Sequence, residues 1–434
     1  MLNTWVSFKV FITSNRITEV MTESLQHQQI ELSPELQEIN FNYSVLWFRA
    51  SDSVAMIPTK GESFDSEEVQ RKRFYVINSL LLVVLLSGVV LFILAKTLSR
   101  DFQLYGVLEE EMEEVESGWK RLHADVFRFP KKQFLFCAIT GCGFHILLVA
   151  FLIFVLFCIT HLTEEMNTII NSVLWVFEIS VPVCGFMSAS LYRKFEGENT
   201  FRNTLLTYCL LTLPFFFVCL TINLAASKHH VTYAISWGTF FTYSLLFMGT
   251  TFPLNLFGAN VGKRFSGPFD APTRTKIIPR AIPSLPWYRR TLTHLIVGGL
   301  LPFMAIYIEL YFTLARLWGT QSPTPFTVYF MMYIVLIVVT ASVNVALTYD
   351  TLSAENHNWW WPSALCGGSA AVFVFLYCVV FLFTRTQIRE GFHLVMYFGY
   401  TFFLCHCIFL TMATVGFYAS LLFVKQIYRY IKSD

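Results

Sequence analysis

The chain has 434 residues, of which 55% are hydrophobic and only 14% charged, and it carries a formal net charge of +2. That balance excludes a water-soluble multidomain protein of this length and gives no basic excess for a nucleic-acid partner. Its 45 phenylalanines are suited to lipid-facing and interhelical packing.

The segment before residue 74 reads as mixed strand and loop and as the chain's first domain (1–73). Phe41 to Trp47 alternates apolar with polar residues, the period of a strand. Asn42-Tyr43-Ser44 is a glycosylation sequon, usable at Asn42 only on a lumenal surface. Residues 1–15 lack a continuous apolar run of the secretory kind, so the first span is expected to act as the insertion signal or the chain to have lost an N-terminal part.

Nine apolar runs follow, each long enough to cross a hydrocarbon core of about 30 Å as a helix. They are Phe74–Ala95, Phe134–Ile159, Ile169–Ser190, Leu205–Leu224, Tyr233–Phe257, Leu295–Ala315, Phe326–Leu347, Ala364–Phe383 and His393–Val424. The expectation is an all-α polytopic membrane protein with nine transmembrane helices in a domain spanning 74–424. A short β-rich lumenal remnant precedes it, and a cytosolic tail (425–434) follows. The segments after the odd-numbered spans and the tail hold 20 of the 31 Lys and Arg, against 4 in the loops after the even-numbered spans and 7 before the first. Positive charge collects on the cytosolic side, so the C-terminus is expected there, although Arg71, Lys72 and Arg73 run against the trend. All ten cysteines fall within the spans and read as small packing residues rather than a disulfide framework.

Two stretches between spans stand out. The first holds six glutamates between Glu109 and Glu116, then an aromatic and basic piece from Gly118 to Pro130 that reads as amphipathic and interfacial. The second, Gly258–Leu292, contains Pro268, Pro272, Pro279, Pro283 and Pro286 among seven Lys and Arg. Such proline density favours extended backbone, either a protein-binding arm or a stiff strap between two spans.

Ionisable groups inside the spans are Glu178, Glu309, His145 and His406. Such groups face a bundle interior or a wet cavity. They read either as a proton or ion relay or as neutral hydrogen-bonded groups that fix helix register. Glu309 lies about two turns before Arg316 on one helix face. Cys405-His406-Cys407 cannot converge on one ion from consecutive helical positions, and Cys142 with His145 would need ligands from other helices, so no metal is expected. Tyr349-Asp350 lacks the Gly-x-Gly-Asp partner of an intramembrane aspartyl protease. His-Glu-x-x-His and Gly-x-Ser-x-Gly are also absent. The expectation is therefore a protein that is not an enzyme and uses no cofactor. Trp359-Trp360-Trp361 reads as an aromatic belt, and Gly298-Gly299 and Gly367-Gly368 as points of close helix approach.

Several of these segments together resemble the nonaspanin family, also called the transmembrane nine superfamily or endomembrane protein 70 family. The matching pieces are Gly118-Trp119-Lys120 with His123-Ala124-Asp125-Val126-Phe127-Arg128, Trp237-Gly238-Thr239-Phe240, and Ile278-Pro279-Arg280-Ala281-Ile282-Pro283 with Pro286-Trp287-Tyr288. Gly298 to Phe303 leading to Ile308-Glu309-Leu310, Leu347-Thr348-Tyr349 with Ala354-Glu355, Tyr397-Phe398-Gly399-Tyr400 and the closing Lys432-Ser433-Asp434 continue the match. His145 and Asn356 depart from it, standing where Gln and Asp are usual.

The resemblance implies Golgi and endosomal membranes and a role in sorting other membrane proteins, with cargo whose transmembrane helices are glycine-rich. It implies that Lys432, Ser433 and Asp434 form a retention signal read by the COPI coat. It also implies a larger lumenal β-rich domain, of which only the last part is expected here. The alternative is a transporter or channel using Glu178, Glu309 and His145.

Overall fold

A computed structural model describes residues 2–3, 5–13, 16–24, 29–30, 42–49, 84–85, 87–100, 103, 118–160, 166–229, 231, 234–317, 326–386 and 391–429. Lys432, Ser433, Asp434, the acidic run and the Arg71–Arg73 cluster lie outside these residues, as does the first part of the first expected span. The chain divides into two units, Met1–Tyr75 and Val76–Asp434.

In the first unit, β1 (Leu2–Asn3) pairs antiparallel with β4 (Gln29–Ile30). The strands β2 (Trp5–Thr13), β3 (Arg16–Ser24) and β5 (Asn42–Arg49) form a sheet of order β3-β2-β5. The β2–β3 pair is an antiparallel hairpin with Val10 opposite Val20, whereas β5 joins β2 parallel with Val10 opposite Trp47. Asn42 opens β5, and its side chain is not among those described.

The second unit is helical. It contains α1 (87–100), α2 (Gln133–Thr160), α3 (Met166–Lys194), α4 (Thr200–Lys228), α5 (Trp237–Phe265), α6 (Thr291–Leu317), α7 (Phe326–Ser353), α8 (Trp360–Gly368), α9 (Ala370–Arg385) and α10 (Gly391–Arg429). Seven described stretches are long and apolar enough to cross a membrane, with α8 and α9 together forming one of them. They correspond to seven of the nine expected spans. The fifth expected span is a helix of sufficient length, α5, and is not one of those seven stretches. The first expected span is only partly described.

Helix α10 organises the unit. It packs against α2 and α4 on one side and α7, α8 and α9 on the other, while α3 and α5 share the most extensive interface of any helix pair. At 39 residues it is about 58 Å long. It runs on to Arg429, past the expected boundary at 424, because its last turns are buried rather than free in water: Val424, Ile427 and Tyr428 are all covered.

Close packing rests on glycine at a few points. A Cβ at Gly258 would overlap the Pro182 carbonyl of α3, and one at Gly367 would overlap the Met412 carbonyl of α10. At those positions the backbones touch, and only hydrogen can stand between them.

Candidate functional site

At one end of the bundle the helix ends are closed by a polar and aromatic cap. Residues 118–130 do not lie free as an amphipathic piece. Trp119, Leu122, Val126 and Phe127 are buried against Leu352, Phe417, Ile427 and Tyr428. The Tyr428 hydroxyl donates to the Trp119 carbonyl at 2.6 Å, and the two rings meet edge-on. The tryptophan triplet is likewise not a lipid-facing belt. Trp359 and Trp360 are only 1% and 2% exposed, and Trp359 Nε1 donates to the Val126 carbonyl at 2.7 Å. Trp361 Nε1 reaches the Lys131 carbonyl at 2.8 Å. The reason is geometric: the turn after α7 points these rings inward over the helix ends, where their area and N–H groups both find partners.

Glu355 is the hub of this cap. It has φ 55°, in the left-handed region, and closes α7 in a Schellman arrangement: its N–H donates to the Leu352 carbonyl, and that of Asn356 to the Thr351 carbonyl. That conformation costs a non-glycine residue about 1–2 kcal/mol. The side chain gives a reason for its presence. Glu355 Oε1 accepts from Arg121 Nη1 at 3.3 Å and from the Gly118 N–H at 3.4 Å, while Oε2 meets Arg280 Nη2 at 3.3 Å.

The proline-rich segment is pinned here as well. Helices α5 and α6 extend into the expected loop from both sides, leaving residues 266–290 as the connection, with one 3-10 turn at Trp287–Arg289. The Lys276 N–H donates to the Ala124 carbonyl at 2.9 Å, and Arg128 Nη2 reaches both the Lys276 carbonyl and Asp125 Oδ1 at 2.7 Å. Asp125 Oδ2 also accepts from the Arg280 N–H at 3.3 Å. Pro279 and Pro283 are exposed on either side of Arg280. His357 is buried beside Asp125 and Arg128, and burial, reinforced by the Arg128 charge, lowers its pKa, with Asp125 opposing. At the far end of the strap, Asp350 joins Arg289 at 3.3 Å and His294 at 3.1 Å. Sequence reasoning missed that knot, because nothing in Tyr349-Asp350 announces a histidine on another helix.

A second polar locus lies within the helices. Glu178 of α3 is half-buried and has Thr251 and Thr250 of α5 at 3.0 and 3.5 Å from Oε1, while Oε2 has no partner among the described residues. Ser180 donates to the Phe177 carbonyl, so His145 Nε2, 2.9 Å from Ser180 Oγ, is the donor, and Nδ1 has no partner among the described residues. Glu309 is on α6, in the other part of the bundle, and is not brought to Glu178 or His145. The Arg316 side chain is outside those described. His406 bonds the Leu210 carbonyl at 3.2 Å, and Cys142 contacts the Thr207 carbonyl and the Cys184 thiol rather than sharing a partner with His145.

The face around Glu178 is not covered by any of the described residues. Trp175 and Ile179 of α3 and Tyr243, Leu245 and Leu246 of α5 are exposed, and so are Gly249 and Thr250. Gly238, Thr242, Leu245 and Gly249 recur at helical spacing on α5, and a Cβ at either of these glycines would meet nothing within 4 Å among the described residues. The helix therefore uses Gly258 and Gly262 for contact with α3 and leaves Gly238 and Gly249 without a neighbour among the described residues.

A sequence model described as Endomembrane protein 70 matches residues 1–392. The chain belongs to the endomembrane protein 70 family. Among its relatives, Transmembrane 9 superfamily member 4 of Arabidopsis thaliana is 35% identical over 99% of this chain and 73% of its own length. Transmembrane 9 superfamily member 1 of Mus musculus is 34% identical over 93% of this chain and 68% of its own. No solved structure matches the chain. Arg280 and Glu355, both in segments that carry the family resemblance, are the residues the cap joins.

Proposed function

We propose that this endomembrane protein 70 family member is a non-enzymatic sorting factor of Golgi and endosomal membranes that binds the transmembrane helices of other membrane proteins. The observation that carries this reading is the outward face of α3 and α5. The open face of α5 presents Gly238, Thr242 and Gly249, and the Glu178–Thr250–Thr251 cluster lies between α3 and α5. In lipid there is no hydrophobic drive between helices, so association depends on close backbone approach and interhelical hydrogen bonds. A glycine-rich cargo helix supplies the first, and Glu178 and Thr250 supply the second.

The cap faces the cytosol in this reading. The helix ends on its side carry Arg193, Lys194, Lys263, Arg264 and Arg429, in keeping with the positive-inside bias. Lys432, Ser433 and Asp434 then extend into the cytosol, where the COPI coat reads them.

The test is site-directed photocrosslinking from position 249 in cells expressing a membrane protein with a glycine-rich span. A specific adduct is expected, together with lower surface delivery of that cargo when the gene is deleted. Absence of the adduct and unchanged surface levels would overturn the proposal. Lys432→Ala should move the protein toward later compartments, and an unchanged distribution would remove the retention signal from the proposal. The transporter reading is tested by reconstituted flux and its loss in Glu178→Gln. The distribution of Glu178 and Glu309 between separate parts of the bundle does not favour it.

A further inference from the structure

The strap between α5 and α6 contains Arg280-Ala281-Ile282-Pro283-Ser284-Leu285-Pro286, in which one cation and two prolines recur at every third position. Proline fixes its own φ near −65° and drives the residue before it to extended backbone. Ile282, Pro283, Leu285 and Pro286 are therefore held to extended or polyproline II geometry. Pro286 has φ −63° and ψ 158°, within that region. A polyproline II helix has three residues per turn and rises about 3.1 Å per residue. Arg280, Pro283 and Pro286 then share one edge over about 19 Å, and Ile282 and Leu285 share the edge beside it.

This stretch is tied to the cap at its amino end. The Arg280 N–H donates to Asp125 Oδ2 and the guanidinium meets Glu355, both at 3.3 Å. From Ala281 to Leu285 no hydrogen bond or ion pair is made among the described residues, and the Pro286 carbonyl accepts from the Arg289 N–H. Pro283, Ser284 and Pro286 are exposed, as is Ile282, and Leu285 is half-buried. Backbone already stiffened by proline loses little entropy when a partner grips it.

We infer that residues 280–286 dock an SH3-type domain of a cytosolic protein. The two apolar-proline pairs, Ile282-Pro283 and Leu285-Pro286, fit the aromatic-lined slots of such a groove. Arg280, one turn before the first proline of the pairs, fits a carboxylate at the end of the groove through charge-assisted hydrogen bonds. The chain supplies its own competitor for that carboxylate, because Glu355 holds the same guanidinium. Partner binding and the tether of the strap to the turn after α7 then exclude each other at Arg280, and the tethered fraction lowers the apparent affinity. The inference shares with the sorting reading only the cytosolic placement of the cap, and it needs no cargo.

The full chain, purified in detergent and immobilised, is titrated with a panel of purified SH3 domains that prefer a basic residue at the amino end of their ligands, and with WW domains. Saturable binding of SH3 domains is expected. Pro283→Ala with Pro286→Ala should weaken it at least tenfold and Arg280→Gln roughly tenfold, while Ser284→Ala leaves it unchanged. Glu355→Gln should strengthen binding, by up to about fivefold for a tether of this exposure. The melting temperature of the double proline variant should match wild type, so that lost binding is not lost folding. No SH3 binding by wild type or Glu355→Gln, binding indifferent to both prolines, selection of WW domains instead, or equal or weaker binding by Glu355→Gln would overturn the inference. Sidedness is read separately: a membrane-impermeant maleimide should label Ser284→Cys in sealed Golgi vesicles, and labelling only after permeabilisation would exclude a cytosolic partner. Binding in detergent does not depend on sidedness, so the two failures are distinguishable.

Discussion

Glu355 and Arg280 lie 3.3 Å apart, joining the turn after α7 to the middle of a proline-rich strap 75 residues earlier in the chain. The same carboxylate holds Arg121, so three separate segments meet on one side chain whose backbone is left-handed. The strap is thus tethered to the helix ends at a point where proline prevents it from making secondary structure of its own.

Glu355→Gln should loosen the strap without unfolding the bundle. The pairs are partly exposed, with Arg280 and Glu355 side chains 41% and 20% accessible, so each is worth only about 0–1 kcal/mol after screening. Limited proteolysis of the 266–290 connection should accelerate, while the melting temperature of the whole protein changes little. An unchanged cleavage rate would show that the tether is redundant. Glu355→Gly is the informative companion, since it removes the ion pairs but relieves the backbone; its melting temperature should be no lower than that of the Gln variant.

Trp359→Phe keeps most of the buried ring area but removes the donor to the Val126 carbonyl. The orphaned acceptor is buried, and the expected cost is about 1–3 kcal/mol, read as a lower melting temperature in detergent. Tyr428→Phe should cost a similar amount through the Trp119 carbonyl.

The two kinds of glycine on α5 should separate folding from binding. Gly258→Ala places a methyl into the Pro182 carbonyl and should destabilise by about 1–3 kcal/mol, measured by thermal unfolding. A Cβ at position 249 meets nothing within 4 Å among the described residues, so Gly249→Leu should leave unfolding unchanged while reducing capture of a cargo helix. A variant at 249 that melts early would place that glycine in the fold rather than in an open face.

The cap should weaken in mild acid. Burial lowers the pKa of His357 in the folded protein, whereas in the unfolded chain it returns to about 6.5. The unfolded state therefore takes up the proton first, and stability that is complete above about 6.5 declines as pH falls through the window below it. Cleavage of the strap should quicken over that range, and His357→Gln should abolish this part of the pH dependence. Asp125 and Arg128 are the charges that face it.

The long helices were legible because twenty apolar residues in a row have few other fates, and seven of the expected spans correspond to helices that satisfy length and apolarity together. Helix α5 shows the limit of that reasoning. A hydropathy run does not distinguish lipid-facing polarity from polarity consumed by a neighbouring helix, and Asn255, which donates to the Thr204 carbonyl at 3.2 Å, is of the second kind. The tryptophans misled for a related reason. Composition places Trp at an interface, but Trp359 and Trp360 are turned inward by a helix cap whose left-handed residue is a glutamate, where a glycine would have signalled the turn. The partnership of Arg280 with Glu355 required the third dimension, although both residues stand within segments that carried the family resemblance.

The contact of α5 with α3 also bears on how the protein is made. The backbone contacts of Gly258 with Pro182 and of Gly262 with Phe186 form only when α5 meets a helix synthesised two spans earlier, so the two must find each other across α4 after both have entered the bilayer. Biogenesis of the amino-terminal half is then coupled to assembly. Substitutions that spoil that meeting should surface as topological errors and rapid quality-control turnover before any mature protein exists to be assayed.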